Sequence, residues 1–88
     1  MLLPEGRKAV LITECTSVDL NDAVAITIEM DVMTEMFLVI AVTSHGAKVV
    51  IKRAEDEDAA TAAYNRIIGS IRTFLSSTQY FKFLDLRE

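Results

Sequence analysis

The sequence predicts an α+β fold: an antiparallel meander of about four strands, followed by one long C-terminal helix packed on one face of the sheet. Three observations point there. Val24, Ile26, Ile28 and Met30 alternate with Ala25, Thr27 and Glu29, the period-two pattern of a strand with one buried face. Met36 to Val42 is an unbroken apolar run, too short to span a bilayer and suited to a central strand. Beyond Glu55 the apolar residues switch to helical spacing, in the stripe Ala60, Tyr64, Ile67, Ile71 and Phe74.

Taken in order, Pro4 and Gly6 mark an irregular start, and a first strand is expected over residues 8–17, where Ala9 to Thr13 is β-prone. Asp19-Leu20-Asn21-Asp22 reads as a turn, because Asp and Asn side chains bond to their own backbone. Strand two covers 23–30. A turn over 31–34 follows, although Val32 and Met33 are unusual turn residues. Strand three covers 35–43, Ser44-His45-Gly46 makes a hairpin loop in which Gly46 can take positive φ, and strand four covers 47–52.

The helix is expected over 55–77. Glu55, Asp56, Glu57 and Asp58 sit at its positive end, where the helix dipole favours them. A helix of about 22 residues is about 33 Å long, whereas strands of about 7 residues reach about 24 Å. The helix should therefore overhang the sheet or bend, with Gly69 as a bend or a point of close approach. The stretch 80–86, rich in aromatic and leucine residues, is either a fifth strand or a packed tail.

A chain of 88 residues is the size of one domain, so 1–88 is read as a single unit. Hydrophobic content of 51% against 25% charged residues supplies enough apolar surface to offset chain entropy, which argues against disorder. The net charge is −4, and no Lys or Arg occurs between Ala9 and Ala47. That balance makes nucleic-acid binding an unfavoured function, since phosphate recognition needs a basic patch. Lys8, Lys48 and Lys52 fit edge protection against aggregation better than a phosphate surface. The N-terminus has no signal-like apolar segment, and one cysteine excludes an internal disulfide; both fit a cytoplasmic setting.

No constellation for catalysis, metal binding or a cofactor is legible, so no enzyme is expected and no cofactor is assigned. His45, the only histidine, lacks partners for acid–base or metal chemistry. Cys15 follows Glu14, which disfavours a thiolate, and is expected to be a buried small hydrophobe. The acidic turns lack the shaped loop of a calcium site.

The informative feature is strand three, apolar on both faces, whereas one helix can cover only one face. The expected function is a non-enzymatic protein-interaction or regulatory module. It would bind a second copy of itself, or another protein, through the uncovered face flanked by Ala25, Thr27 and Val50. Interaction candidates are Met33, Phe37, Val39, Val50, the overhanging Phe74 and Leu75, and Tyr80, Phe81 and Phe83 of the C-terminal stretch. Met30, Met33 and Met36 add an adaptable apolar cluster at the turn between strands two and three. Two other classes fit less well: an apolar-ligand binder with a cavity lined by Ile26, Ile40, Ile67 and Ile71, and an acidic mobile-element inhibitor of a host nucleic-acid enzyme.

Overall fold

The computed structural model describes residues 2–87. Its elements are β1 (Lys8–Ile12), β2 (Ser17–Asp19), β3 (Ala23–Asp31), β4 (Met36–Thr43), β5 (Lys48–Ala54), α1 (Glu57–Ser76) and β6 (Phe81–Asp85). The α+β class holds, with one C-terminal helix followed by a C-terminal strand. The six strands form two three-stranded sheets instead of one meander, in the orders β2-β1-β6 and β3-β4-β5.

The expected first strand over 8–17 is two antiparallel strands, Val10 lying opposite Asp19 and Ile12 opposite Ser17. A threonine hydroxyl makes the turn between them. Thr13 Oγ1 accepts hydrogen bonds from the Cys15 and Thr16 N–H groups at 3.3 and 3.4 Å, and the Thr13 N–H donates to the Thr16 carbonyl at 2.9 Å. Side-chain turns of this kind need neither Gly nor Asn. The same hydroxyl donates to the Ile51 carbonyl at 2.7 Å, inside the protein. Ile51 falls where the β4–β5 register shifts, from Val39 opposite Lys52 to Ile40 opposite Val50, so it has no partner in β4. Thr13 thus joins the two sheets at a β-bulge.

The last strand pairs parallel to the first, Leu11 opposite Leu84. This explains the fate of the helix overhang. Asp56 caps α1, its carboxylate accepting the Ala59 N–H at 2.7 Å. Twenty residues then run about 30 Å, enough to lie on both sheets. Phe74 is therefore not an overhanging contact residue but is only 1% exposed, in a core shared with Leu11, Val18, Leu84, Val39 and Ile51. Leu75 packs half-buried against that core. Arg7 covers the helix end: its guanidinium lies 4.6 Å from the Phe74 ring centroid and donates to the Phe74 and Ser77 carbonyls at 2.6 and 3.1 Å.

Gly69 is exposed, and a Cβ there would meet no atom within 4 Å, so it is not a close-approach glycine. Gly46 does take the positive φ, +84°, that the β4–β5 hairpin was expected to use.

Two stability outcomes follow. Thr13→Val keeps the shape of the joint but leaves the Ile51 carbonyl unpaired, and should cost about 1–3 kcal/mol, read as a lower urea midpoint at an unchanged slope. Gly69→Ala should stabilise by about 0.5–1 kcal/mol, since it removes a glycine from an exposed helical position without a clash; a higher melting temperature is the readout.

Candidate interaction surface

In a sheet, residues directly opposite each other share a face. Ile26, Ile28, Ala41, Val39 and Phe37 are linked in this way across β3 and β4, and all belong to the core or pack on it. The other face carries Ala25, Thr27 and Glu29 on β3, Leu38, Ile40 and Val42 on β4, and Lys48, Val50 and Arg53 on β5. Leu38, Ile40, Val42 and Val50 belong neither to the shared core nor to the side chains packed against it. The molecule measures 41 × 28 × 17 Å. Its short dimension has room for two layers, which pack about 10 Å apart, and not for a third.

The expected uncovered face exists, but the parity assigned to strand three was partly wrong. Val50 lies on that face beside Ala25 and Thr27, as expected. Val39 does not: it is 0% exposed beneath α1. Phe37 is half-buried on the same inner side. The outward set is Leu38, Ile40 and Val42, which sequence reasoning passed over. A signal was there to find. A three-residue loop at 44–46 sets Thr43 beside Ala47, and counting back from it places Val50 beside Ile40.

The face is not left wholly bare. Lys48 Nζ and Glu29 Oε1 form a 3.0 Å ion pair. Lys48 stands beside Val42 and Glu29 beside Leu38, on the two strands flanking β4. Their bridge therefore crosses β4 at the level of Ile40, and the aliphatic stems help to explain why Ile40 is only 5% exposed. Around this strap Leu38, Val42 and Val50 stay half-buried.

Large apolar side chains are more open elsewhere. At the β3–β4 hairpin, Met33 is 91% exposed, with Val32 and Met30 also exposed and Met36 half-buried. Asp31 shapes this turn by accepting the Met33 N–H at 3.0 Å, and Glu35 closes it in the left-handed region at φ 59°. On the second sheet, Phe81 and Phe83 share the outer face with Val10, their rings meeting edge to face at 5.0 Å, and Tyr80 is exposed just before them. The nine sequence candidates thus divide. Met33, Tyr80, Phe81 and Phe83 lie at the surface, Val50 lies on the uncovered face, and Phe37, Val39, Phe74 and Leu75 serve the interior.

The remaining chemistry is sparse. Cys15, expected to be buried, is exposed as a free thiol, because the Thr13 turn carries it out to solvent. His45 is exposed in its hairpin loop. Among the described residues no group of three His, Cys, Asp or Glu side chains is placed to hold a metal ion. Lys52 pairs with Glu14 at 3.6 Å in a cleft of about 310 Å³ beside Ala59 and Ile67. A second cleft, of about 530 Å³, runs between Gly69 and Thr73 of α1 and residues Lys82 to Leu86. Ile26, Ile67 and Ile71 are core residues, while Ile40 lies on the opposite side of the sheet, so the four do not converge on one cavity. No helix is long and apolar enough to cross a membrane among the described residues.

No family model, curated protein or solved structure matches this chain.

One exposed pair has a distinct titration. Asp85 accepts two side-chain hydrogen bonds from Arg87, at 2.9 and 2.7 Å, and one from its backbone N–H at 3.1 Å. These bonds lower its pKa from the ordinary 3.8 to about 2. A depressed carboxylate pKa means that the pair's stabilisation is present above the unfolded-state value and is lost as pH falls through about 2. In an NMR titration the Asp85 carboxyl carbon should show a midpoint near 2, and Arg87→Gln, which removes the guanidinium bonds but keeps the backbone N–H bond, should raise that midpoint part of the way back towards the ordinary 3.8.

Proposed function

We propose that the chain is a non-enzymatic protein-interaction module that self-associates through the face of the β3-β4-β5 sheet that α1 leaves uncovered. One observation carries the reading: Leu38, Ile40, Val42 and Val50 form an apolar strip across that face, outside the core. Burying such a strip releases its hydration water at about 25 cal/mol per Å² of apolar surface.

Charge supports a second copy as the occupant. The β3 side of the face carries Glu29, and the β5 side carries Lys48 and Arg53. Turning a second copy about an axis along β4 lays the acidic side of each sheet over the basic side of the other. Such a two-fold contact is the commonest form of self-association. Acidic side chains elsewhere, among them Asp19, Asp22 and Asp31, would steer a basic partner if a different protein is the ligand. An exposed free thiol at Cys15 is in keeping with a reducing, cytoplasmic setting.

Sedimentation equilibrium tests the reading. Leu38→Glu and Val50→Glu place charges on the strip without entering the core, and each should weaken association at least tenfold, about 1.4 kcal/mol, with the circular dichroism spectrum retained. A charge at Val39 should instead unfold the chain. Unchanged association in both strip variants would remove the face as the contact.

A further inference from the structure

We infer that two copies of the chain also join edge to edge, through an antiparallel pairing of β3 with β3 of the second copy centred on Thr27. This contact uses the strand's edge, not the sheet's face, and does not depend on the face-to-face reading.

The inference starts from a comparison of the four strands that end a sheet, β2, β6, β3 and β5. A sheet edge presents unpaired N–H and C=O groups and invites another strand, unless it is short, carries Lys or Pro, or is covered. The β2 strand has three residues. Lys82 lies on β6, and Lys48, Lys52 and Arg53 lie on β5. The β3 strand differs from all three. It has nine residues, Ala-Val-Ala-Ile-Thr-Ile-Glu-Met-Asp, with no Lys, Arg, Pro or Gly. Its start is partly occupied, because the Leu2 N–H donates to the Ala23 carbonyl at 3.2 Å and the register shifts past Val24. From Ala25 onwards no described strand pairs with its outer side.

The sequence of β3 is self-complementary about its midpoint, Thr27. Antiparallel pairing there places Ile26 opposite Ile28 of the second copy, and Ala25 opposite Glu29. No acid then faces an acid, which would be unfavourable. Val24 and Met30, the two large side chains of β3 that stay open to solvent at 45% and 54%, come opposite each other. Thr27 meets Thr27 at the two-fold axis. In the lone chain the Thr27 hydroxyl is enclosed without a hydrogen-bond partner. A χ1 rotation would turn it towards the second copy, where paired threonines can bond across strands. The product is one six-stranded sheet with both helices on one side and a continuous uncovered face on the other.

Cysteine cross-linking reads the register directly. In a Cys15→Ser background, Thr27→Cys should form a disulfide-linked dimer on mild oxidation, since directly opposed residues lie within disulfide reach. Ala25→Cys and Glu29→Cys should stay monomeric when oxidised separately and cross-link when mixed. Met30→Lys, a change at an exposed position, should weaken the edge contact at least tenfold and suppress the Thr27→Cys cross-link. Leu38→Glu with Val50→Glu should leave that cross-link in place, which separates failure of the edge from failure of the face. A Thr27→Cys variant that cross-links no better than Ala25→Cys or Glu29→Cys alone would overturn the inference, as would a cross-link indifferent to Met30→Lys.

Discussion

Strand β1 is held by a polar anchor at each end, and the two-sheet architecture depends on both. Just before its start, the Arg7 guanidinium donates to the Phe74 and Ser77 carbonyls, while the Arg7 carbonyl accepts from Asn21 Nδ2 at 2.7 Å. Just beyond its end, the Thr13 hydroxyl donates to the unpaired bulge at Ile51. The last carbonyls of a helix need donors from outside it, and α1 has no basic residue in its last turn. Ser77 donates to the Phe74 carbonyl through its N–H at 3.0 Å and its hydroxyl at 2.6 Å, and Arg7 adds a further donor and the favourable charge from 67 positions away. With the helix end held there, the chain returns beside β1, the Lys8 N–H meets the Tyr80 carbonyl at 2.7 Å, and the parallel pairing of β6 begins.

These anchors also mark where sequence reasoning reached its limit. The period-two pattern of β3, the hairpin at Gly46, the acidic start of α1 and the helical stripe from Ala60 to Phe74 are local signals, and each produced an element close to where it was expected. The split between β1 and β2 was hidden because its turn is built on the hydroxyl of Thr13, a residue that also favours strands. The partner of β6 was hidden for a different reason. Pairing of β1 with β6 joins residues at opposite ends of the chain, and no periodicity in either segment records which strand it will meet. A helix read as overhanging one sheet was in fact long enough for two, so Phe74 went from a supposed contact residue to a core residue.

The two-faced character of β4 was legible, but the facing of each side chain was not read correctly. In a strand a one-residue error in parity exchanges every inward residue for an outward one. Naming Val39 and Val50 as neighbours on one surface was such an error, since Val50 lies beside Ile40 and Val39 lies under the helix. The face itself survived the correction because β4 is apolar at both parities: Val39 and Ala41 fill the core, and Leu38, Ile40 and Val42 form the outer strip. Strands buried on both sides read as continuous apolar runs, whereas strands with one wet side alternate. The β3 strand alternates and β4 does not, so the demand for a second cover is concentrated on the central strand.

The charge asymmetry acquires a structural meaning once the strands are ordered. The stretch from Ala9 to Ala47, without a single Lys or Arg, contains β2, β3 and β4. Of these, β4 is central, β2 is short, and β3 is the long strand left at an edge. Of the seven basic residues that follow Ala47, four fall on the other exposed edges, Lys48, Lys52 and Arg53 on β5 and Lys82 on β6, while Arg66 and Arg72 lie on α1 and Arg87 beyond β6. Lysine at an edge opposes strand addition because pairing must desolvate or crowd its charge. The same distribution that removes a basic surface from the first half of the chain therefore also removes the usual guard from one edge, and that edge carries Val24 and Met30 open to water. A charge imbalance that disfavours a phosphate-binding surface is, on this geometry, also a rule for which edges can accept another strand.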